Sequence, residues 1–179
     1  MYVKGDVFKG VGPCNAEFFM YHDDIELCLK AKLAGYRIVL APAAVMWHKY
    51  EFHRSILLVY FMERNRLLTM FAFYRIPTLI LLAPAIMLME LCVLTGGIIG
   101  GYARAKLRSW AYFFHLENIR KLRAERGRIQ RMRTISDRDL LRDAAGALEF
   151  QEIANPALNY VLNPILRAYW FVVQRLIVW

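Results

Sequence analysis

The chain has 179 residues, the length of one ordinary domain. Hydrophobic residues make up 58% of it, more than soluble domains usually contain, and 24 basic against 15 acidic residues give a net charge of +9. This composition excludes disordered, collagen-like and disulfide-stapled proteins, and it favours an anionic membrane surface over nucleic acid as the partner.

The first 52 residues have the pattern of a compact α/β unit. A short strand is predicted at residues 2–4, and a helix at residues 24–34, where Gly35 ends it. Two further segments, residues 37–40 and 45–47, are rich in β-forming residues and flank an Ala-Pro-Ala sequence. The predicted fold class of this part is therefore α/β.

A long apolar region follows. Residues 53–75 are predicted to form an aromatic-rich amphipathic helix at a membrane interface. The 28 residues of the next segment, 76–103, carry a single charge, Glu90. As one helix this segment would be ~42 Å long, which is more than a bilayer core needs. Pro77 and Pro84 interrupt it, so both a membrane span and a re-entrant hairpin fit the pattern, and a buried core helix fits it less well.

Residues 104–179 form a basic amphipathic tail in this interpretation. Between Arg104 and Arg142 there are 12 Lys and Arg against 4 acidic residues, so this block carries +8 of the net charge. Trp110, at helical spacing with other apolar residues, and Trp170, near the C-terminus, are predicted to lie at a membrane interface. A further helix is predicted to begin at Ser136 and to continue to residue 148.

The most informative chemistry lies in two adjacent carboxylates, Asp23 and Asp24, at the start of the predicted helix. The helix N-terminus favours the ionised form of both, and an ionised carboxylate at a cleft can take a proton from a hydroxyl group. The simpler alternative is that Asp23 only caps the helix, with Asp24 in its first turn.

Two blocks of sequence extend this interpretation. Residues 17–49 read EFFMYHDDIELCLKAKLAGYRIVLAPAAVMWHK, and residues 60–67 read YFMERNRL. They closely resemble the C-terminal half of the catalytic domain of family 2 glycosyltransferases, in particular the rhamnosyltransferase-like group, and the Tyr-x-x-x-Arg-Asn-Arg element that follows it. The resemblance implies the C-terminal part of a Rossmann-like GT-A domain followed by membrane-associated helices.

The resemblance also implies a reaction and its residues. Such enzymes are inverting hexosyltransferases that move a sugar from a nucleotide-diphosphate donor, and the acidic pair falls on Asp23 and Asp24, with Asp24 as the base. His48 matches a histidine that contacts a divalent metal, Mg or Mn, in some relatives. Arg64 and Arg66 are candidates for binding the diphosphate or the acceptor, with an interfacial basic face as the equal alternative. His22 and Cys28 are expected to be surface and packing residues.

The chain also departs from the family pattern. Residues 12–15 read Gly-Pro-Cys-Asn where the family has Gly-Gly-Phe-Asp, and the donor-binding strands and their acidic metal motif have no counterpart. We therefore expect a fragment, one half of a split enzyme, or a decayed gene product. The intact enzyme would act on a lipid-linked acceptor in cell-envelope polysaccharide synthesis, at the cytoplasmic face of a bacterial inner membrane. The alternative is a non-catalytic membrane-associated docking module, and nucleic acid is not an expected partner.

Overall fold

The computed structural model describes residues 2–47, 56–148 and 158–179, and every regular element in these ranges is helical. The longer helices are α1 (Gly5–Val11), α2 (Asp23–Leu33), α3 (Ile56–Phe73), α4 (Ile76–Ile99), α5 (Ala103–Ala111), α6 (Leu116–Met132), α7 (Asp137–Leu140) and α8 (Asn163–Leu176). Short 3-10 turns lie at Ala16–Phe18 and Tyr112–Phe114, and a π-helical turn at Leu158–Leu162 precedes α8.

The α/β fold class is therefore wrong, and with it the GT-A architecture, because the described residues contain no strand and no sheet. Residues 2–4 lead irregularly into α1. The β-rich segments 37–40 and 45–47 contain no helix, as predicted, but they form no ladder, and a strand exists only where a neighbour pairs with its backbone. Their apolar side chains are exposed, with Val39 at 78% and Trp47 at 92%.

The chain forms two compact units. Unit 1 comprises Met1–Phe73 and Cys92–Thr134, and unit 2 comprises Tyr74–Leu91 and Ile135–Trp179. In unit 1, α3 packs against α5 and α6 around a small core of Phe18, Leu68 and Tyr112.

Side chains of α6 bind the C-terminal end of α3. The amide of Gln130 donates to the carbonyls of Ala72 and Phe73 at 3.0 and 2.9 Å, and Arg133 donates to the same Phe73 carbonyl. Arg126 reaches the Phe71 carbonyl at 2.5 Å. The last carbonyls of a helix have no partner within it, so these bonds satisfy them and fix where α3 stops.

Unit 2 has its own core, in which Leu141, Val173 and Ile177 are buried and the indole of Trp179 packs beside them. The predicted capping serine is confirmed, because the Ser136 hydroxyl accepts from the Asp139 amide at 3.0 Å. The helix it starts is a single turn, however, and does not continue to residue 148. The basic region that the sequence suggested as one interfacial tail is thus divided into several separate helices.

Candidate functional site

The residues before α2 form an unusual turn. Phe19, Tyr21 and His22 have φ values of 56°, 63° and 64°, which is the left-handed region that side chains other than glycine rarely adopt. Such residues each cost on the order of 1–3 kcal/mol and persist where the surrounding structure imposes them. We call residues 17–22 the anchored turn, because its conformation depends on bonds from α3.

Asn65 on α3 provides the main anchor. Its side-chain nitrogen lies 2.9, 2.7 and 3.0 Å from the carbonyl oxygens of Phe18, Met20 and Tyr21, so its two hydrogens are shared among three acceptors. Asn65 is completely buried, and its own oxygen accepts two hydrogen bonds from Arg64. A polar side chain inside an apolar helix thus binds three carbonyls of the turn at once.

Arg64 completes the anchor from the next position. Its guanidinium donates to the carbonyls of Glu17 and Phe18 at 2.5 and 3.3 Å. It also lies 4.9 to 5.3 Å from the ring centroids of Tyr60, Phe61 and Tyr112, and only 5% of the residue is exposed. The structure therefore directs Arg64 at backbone and aromatic rings, a positioning role that the sequence pattern did not suggest.

Arg66, the second predicted phosphate-binding residue, is more accessible. Its side chain is 21% exposed and pairs with the Glu63 carboxylate at 2.8 Å. Glu63 in turn contacts the buried ammonium of Lys106 from α5. That Arg66 binds a diphosphate stays a prediction. The guanidinium of Arg66 would then contact both the Glu63 carboxylate and the ligand.

The anchored turn leads directly into the acidic pair. Asp23 and Asp24 are both exposed in the first turn of α2, and one oxygen of Asp24 accepts from the Ile25 amide at 2.8 Å. His22 occupies the N-cap position, and no side chain caps the helix. The simpler alternative for Asp23, helix capping, is therefore wrong, and both carboxylates remain accessible for chemistry.

His22 is a site residue that the sequence analysis assigned to the surface. Its Nδ1 atom is buried and has no hydrogen-bond partner among the described residues, and the charged groups that act on the ring are Asp24, Arg66, Glu63 and Asp23. Burial lowers the pKa of the imidazole, while Asp24 acts in the opposite direction. His22 itself has a left-handed backbone, with φ at 64°, and lies directly before Asp23 and Asp24.

A buried ion pair holds the loop before the anchored turn. Glu26 and Lys30 are both completely buried on α2, and their charged groups lie 2.5 Å apart. The Lys30 ammonium donates to the Pro13 carbonyl at 2.9 Å, and the Asn15 amide donates to Glu26 at 2.8 Å. The spacing of four residues was the available sequence signal, but only burial shows that the pair fixes residues 13–15.

A small cleft of about 20 Å³ in unit 1 is lined by Glu17 and Phe18 of the anchored turn together with residues of α2, α3 and α6. Its polar groups are paired with one another, since Tyr112 donates to Glu17 at 2.9 Å and Lys121 lies 3.5 Å from the same carboxylate. Burial and the bond to Glu17 both raise the pKa of the Tyr112 phenol. The cleft therefore supports the anchored turn more than it offers free groups to a ligand.

The described residues do not form the predicted metal site. His48 lies outside the described residues. Within residues 2–47, 56–148 and 158–179, no three or more His, Cys, Asp or Glu side chains cluster so as to hold a metal ion. The described residues therefore do not fit Mg or Mn by themselves.

The two tryptophans predicted at a membrane interface lie in different units. Trp110 on α5 is half-buried, with the Lys106 ammonium 5.5 Å from its ring centroid. Trp170 on α8 is also half-buried, and its indole nitrogen donates to the Ala144 carbonyl at 3.0 Å. Both rings have contacts within the protein, so their membrane role remains a prediction.

Membrane association itself has support from one element. Among the residues that the structure describes, α4 is the one helix long and apolar enough to cross a membrane, judged by length and composition. No protein-family model, curated protein or solved structure matches this chain.

Proposed function

We propose that this chain is the acceptor-side part of an inverting glycosyltransferase that acts on a lipid-linked acceptor at a membrane surface. The observation that carries the proposal is the anchored turn. Asn65 and Arg64, from the second block that resembles the family, bind the backbone at the start of the first block. Phe18 and Asn65, one from each block, are 47 residues apart in the sequence. Their contact lies a few residues before the acidic pair.

Asp24 is the proposed base. Its carboxylate lies at the N-terminal end of α2, where backbone amides stabilise negative charge, and it is exposed to an incoming hydroxyl. Deprotonation of that hydroxyl as it attacks the anomeric carbon needs a carboxylate held in a fixed place. The anchored turn provides this, because its bonds to α3 leave the start of α2 little freedom.

The donor, the metal and the location belong to the same proposal. A nucleotide-diphosphate sugar and a divalent metal would be held with the help of a donor-binding half, and Arg66 is the residue in view best placed to contact the diphosphate. The membrane surface would be the cytoplasmic face of a bacterial inner membrane. The apolar helix α4 supports the location at a membrane. The family resemblance supports the donor, the metal and the cytoplasmic side.

The test is transfer in trans. The chain is bound to vesicles that carry a polyprenyl-diphosphate-linked acceptor, and a donor-binding half from a rhamnosyltransferase-like protein is added with radiolabelled nucleotide sugar. We expect transfer that falls by about 10²–10⁴-fold in Asp24→Asn, the usual range for loss of a general base. Asp6→Asn, which removes an exposed acid on α1, is the matched control and should keep full transfer. Full transfer by Asp24→Asn would refute the assignment of the base.

The second candidate is a docking module without catalysis. It is favoured by the exposed apolar segments 37–40 and 45–47, in which Leu40 is 84% exposed. In the same assay a docking module would bind the added half whether residue 24 is Asp or Asn, and no sugar would be transferred. Loss of this binding in Leu40→Lys, with Asp6→Asn unchanged, would identify the docking surface.

A further inference from the structure

Helix α4 exposes one face along most of its length. Between residues 76 and 98, seven exposed positions recur every three or four residues, which is one face of an α-helix, and Pro77 and Cys92 are exposed beside that face. At 1.5 Å per residue this face is about 33 Å long. We call it the α4 stripe, and its members are Ile76, Ile80, Pro84, Met87, Leu91, Thr95 and Ile98.

The first turns of α4 contact protein on the side away from the stripe. In unit 2, Thr78 is completely buried, and its hydroxyl accepts from the Trp179 indole at 2.8 Å. The Tyr169 hydroxyl donates to the Leu81 carbonyl, and Leu81 and Leu82 pack against the core of that unit. Most of the other α4 side chains outside the stripe are half-buried, so the stripe is the face most open to an apolar medium.

The elements on either side of α4 belong together. Helix α3 ends at Phe73, three residues before α4 begins, and α5 starts at Ala103, four residues after α4 ends. Both α3 and α5 lie in unit 1, where the Lys106 ammonium of α5 contacts Glu63 of α3. Gln130 on α6 likewise binds the last carbonyls of α3, at 2.9 and 3.0 Å.

A membrane crossing is incompatible with these contacts. If α4 crossed a bilayer, the segments before and after it would be separated by a hydrocarbon core of about 30 Å. The buried Lys106–Glu63 pair and the Gln130 bonds would then have to break, leaving charged and polar groups without their partners. Unit 1 can keep its structure only if both ends of α4 are on the same side.

We infer that α4 is an in-plane membrane anchor, with the α4 stripe in the acyl layer of one leaflet and both flanks on the same side. The inference deepens the proposed membrane association and rests on it. The partner is an anionic lipid surface, because Arg104 and Arg108 are exposed directly after α4 and can reach lipid headgroups. This placement differs from both alternatives that the sequence left open, a membrane span and a re-entrant hairpin, because α4 is one continuous helix.

The test is labelling of the full chain on sealed vesicles. Cys14, Cys28 and Cys92 are replaced by alanine, and one cysteine is introduced at a time as Lys9→Cys, Arg123→Cys or Met87→Cys. Lys9 precedes α4, Arg123 follows it, and Met87 is 65% exposed on the stripe. Each protein is added to vesicles of phosphatidylglycerol and phosphatidylethanolamine, and an impermeant maleimide is then added outside.

We expect the first two cysteines to react without detergent and the cysteine at position 87 to be protected only when vesicles are present. Reaction of Lys9→Cys or Arg123→Cys only after detergent would show a crossing and overturn the inference. Failure of the chain to float with the vesicles would also overturn it, and would leave a protein partner as the occupant of the stripe.

A second pair of variants isolates the stripe. Met87→Lys should weaken vesicle binding roughly tenfold or more, since it places a charge in the acyl layer. Met62→Lys, at an exposed methionine of α3, should leave binding unchanged, and equal binding by both variants would contradict the inference. Sugar transfer is not measured in either experiment, so a failure of the proposed activity is distinguishable from a failure of the in-plane anchor.

Discussion

Helices α3 and α4 are both long and rich in apolar residues, yet they distribute their side chains in opposite ways. Helix α3 buries polar residues, with Asn65 at 0% and Arg64 at 5% exposure. Helix α4 exposes apolar ones, with Ile80 at 66% and Met87 at 65%. The comparison teaches that the buried arginine and asparagine of α3 belong to the element that organises the unit 1 core, whereas α4, whose one fully buried polar side chain among the described residues is Thr78, presents a mainly apolar face that is suited to lipid.

The largest expected effect comes from truncating one apolar residue on each helix. Leu68→Ala on α3 removes part of the unit 1 core, where Leu68 is 6% exposed, and should lower the free energy of unfolding by about 2–5 kcal/mol. Met87→Ala on the α4 stripe should change it by less than about 0.5 kcal/mol. Urea denaturation of both variants measures the difference, and equal losses would show that α4 is packed like α3.

A smaller effect is expected from the polar anchor of α3. Asn65→Leu removes the donor that the carbonyls of Phe18, Met20 and Tyr21 share, although Phe18 keeps its bond from Arg64, and it should cost about 1–3 kcal/mol because part-buried polar groups lose a hydrogen bond. The control is Met62→Leu, an exposed position of the same helix. Hydrogen exchange at the start of α2 should accelerate in Asn65→Leu alone, and an unchanged rate would refute the anchoring role.

The smallest effect concerns pH. Burial holds the pKa of His22 below its ordinary value of 6.5, so protons bind the unfolded chain more readily than the folded one. The neutral ring therefore allows full stability above pH 6.5, and part of it should be lost as the pH falls through 6.5 toward the folded-state pKa. Denaturation at several pH values should show a shallower loss in His22→Asn, and identical pH profiles would contradict the burial of this ring.

The sequence predicted the local features of the candidate site better than its surroundings. Local patterns predicted the acidic pair, the helix that it begins and the end of that helix before Gly35. The predicted bounds differ from those of α2 by one residue at each end. The sequence analysis gave Arg64 and Arg66 a role but not Asn65, which lies between them, because no local pattern shows that a side chain is buried. The positive φ values at positions 19, 21 and 22 were equally invisible, since Phe, Tyr and His do not signal a left-handed backbone as glycine does.

The sheet was the largest error, and it has a physical reason. Residues 37–40 and 45–47 have the composition of strands, but β-propensity expresses packing on a neighbouring surface, and the described residues place no strand beside them. Helices make their hydrogen bonds within one segment, so local sequence predicts them more securely. This is why most of the predicted helices were found and the predicted strands were not.

By itself, the sequence determined the composition of each segment: the apolar stretch at 76–103, the basic block that follows it and the acidic pair before a helix. Only the tertiary structure decided that Arg64 binds carbonyls, that α6 binds the end of α3, and that α3 and α5, the helices before and after α4, belong to one unit. Hydropathy describes one residue or one helix at a time, whereas the side of a membrane on which a segment lies depends on contacts between residues far apart in the chain.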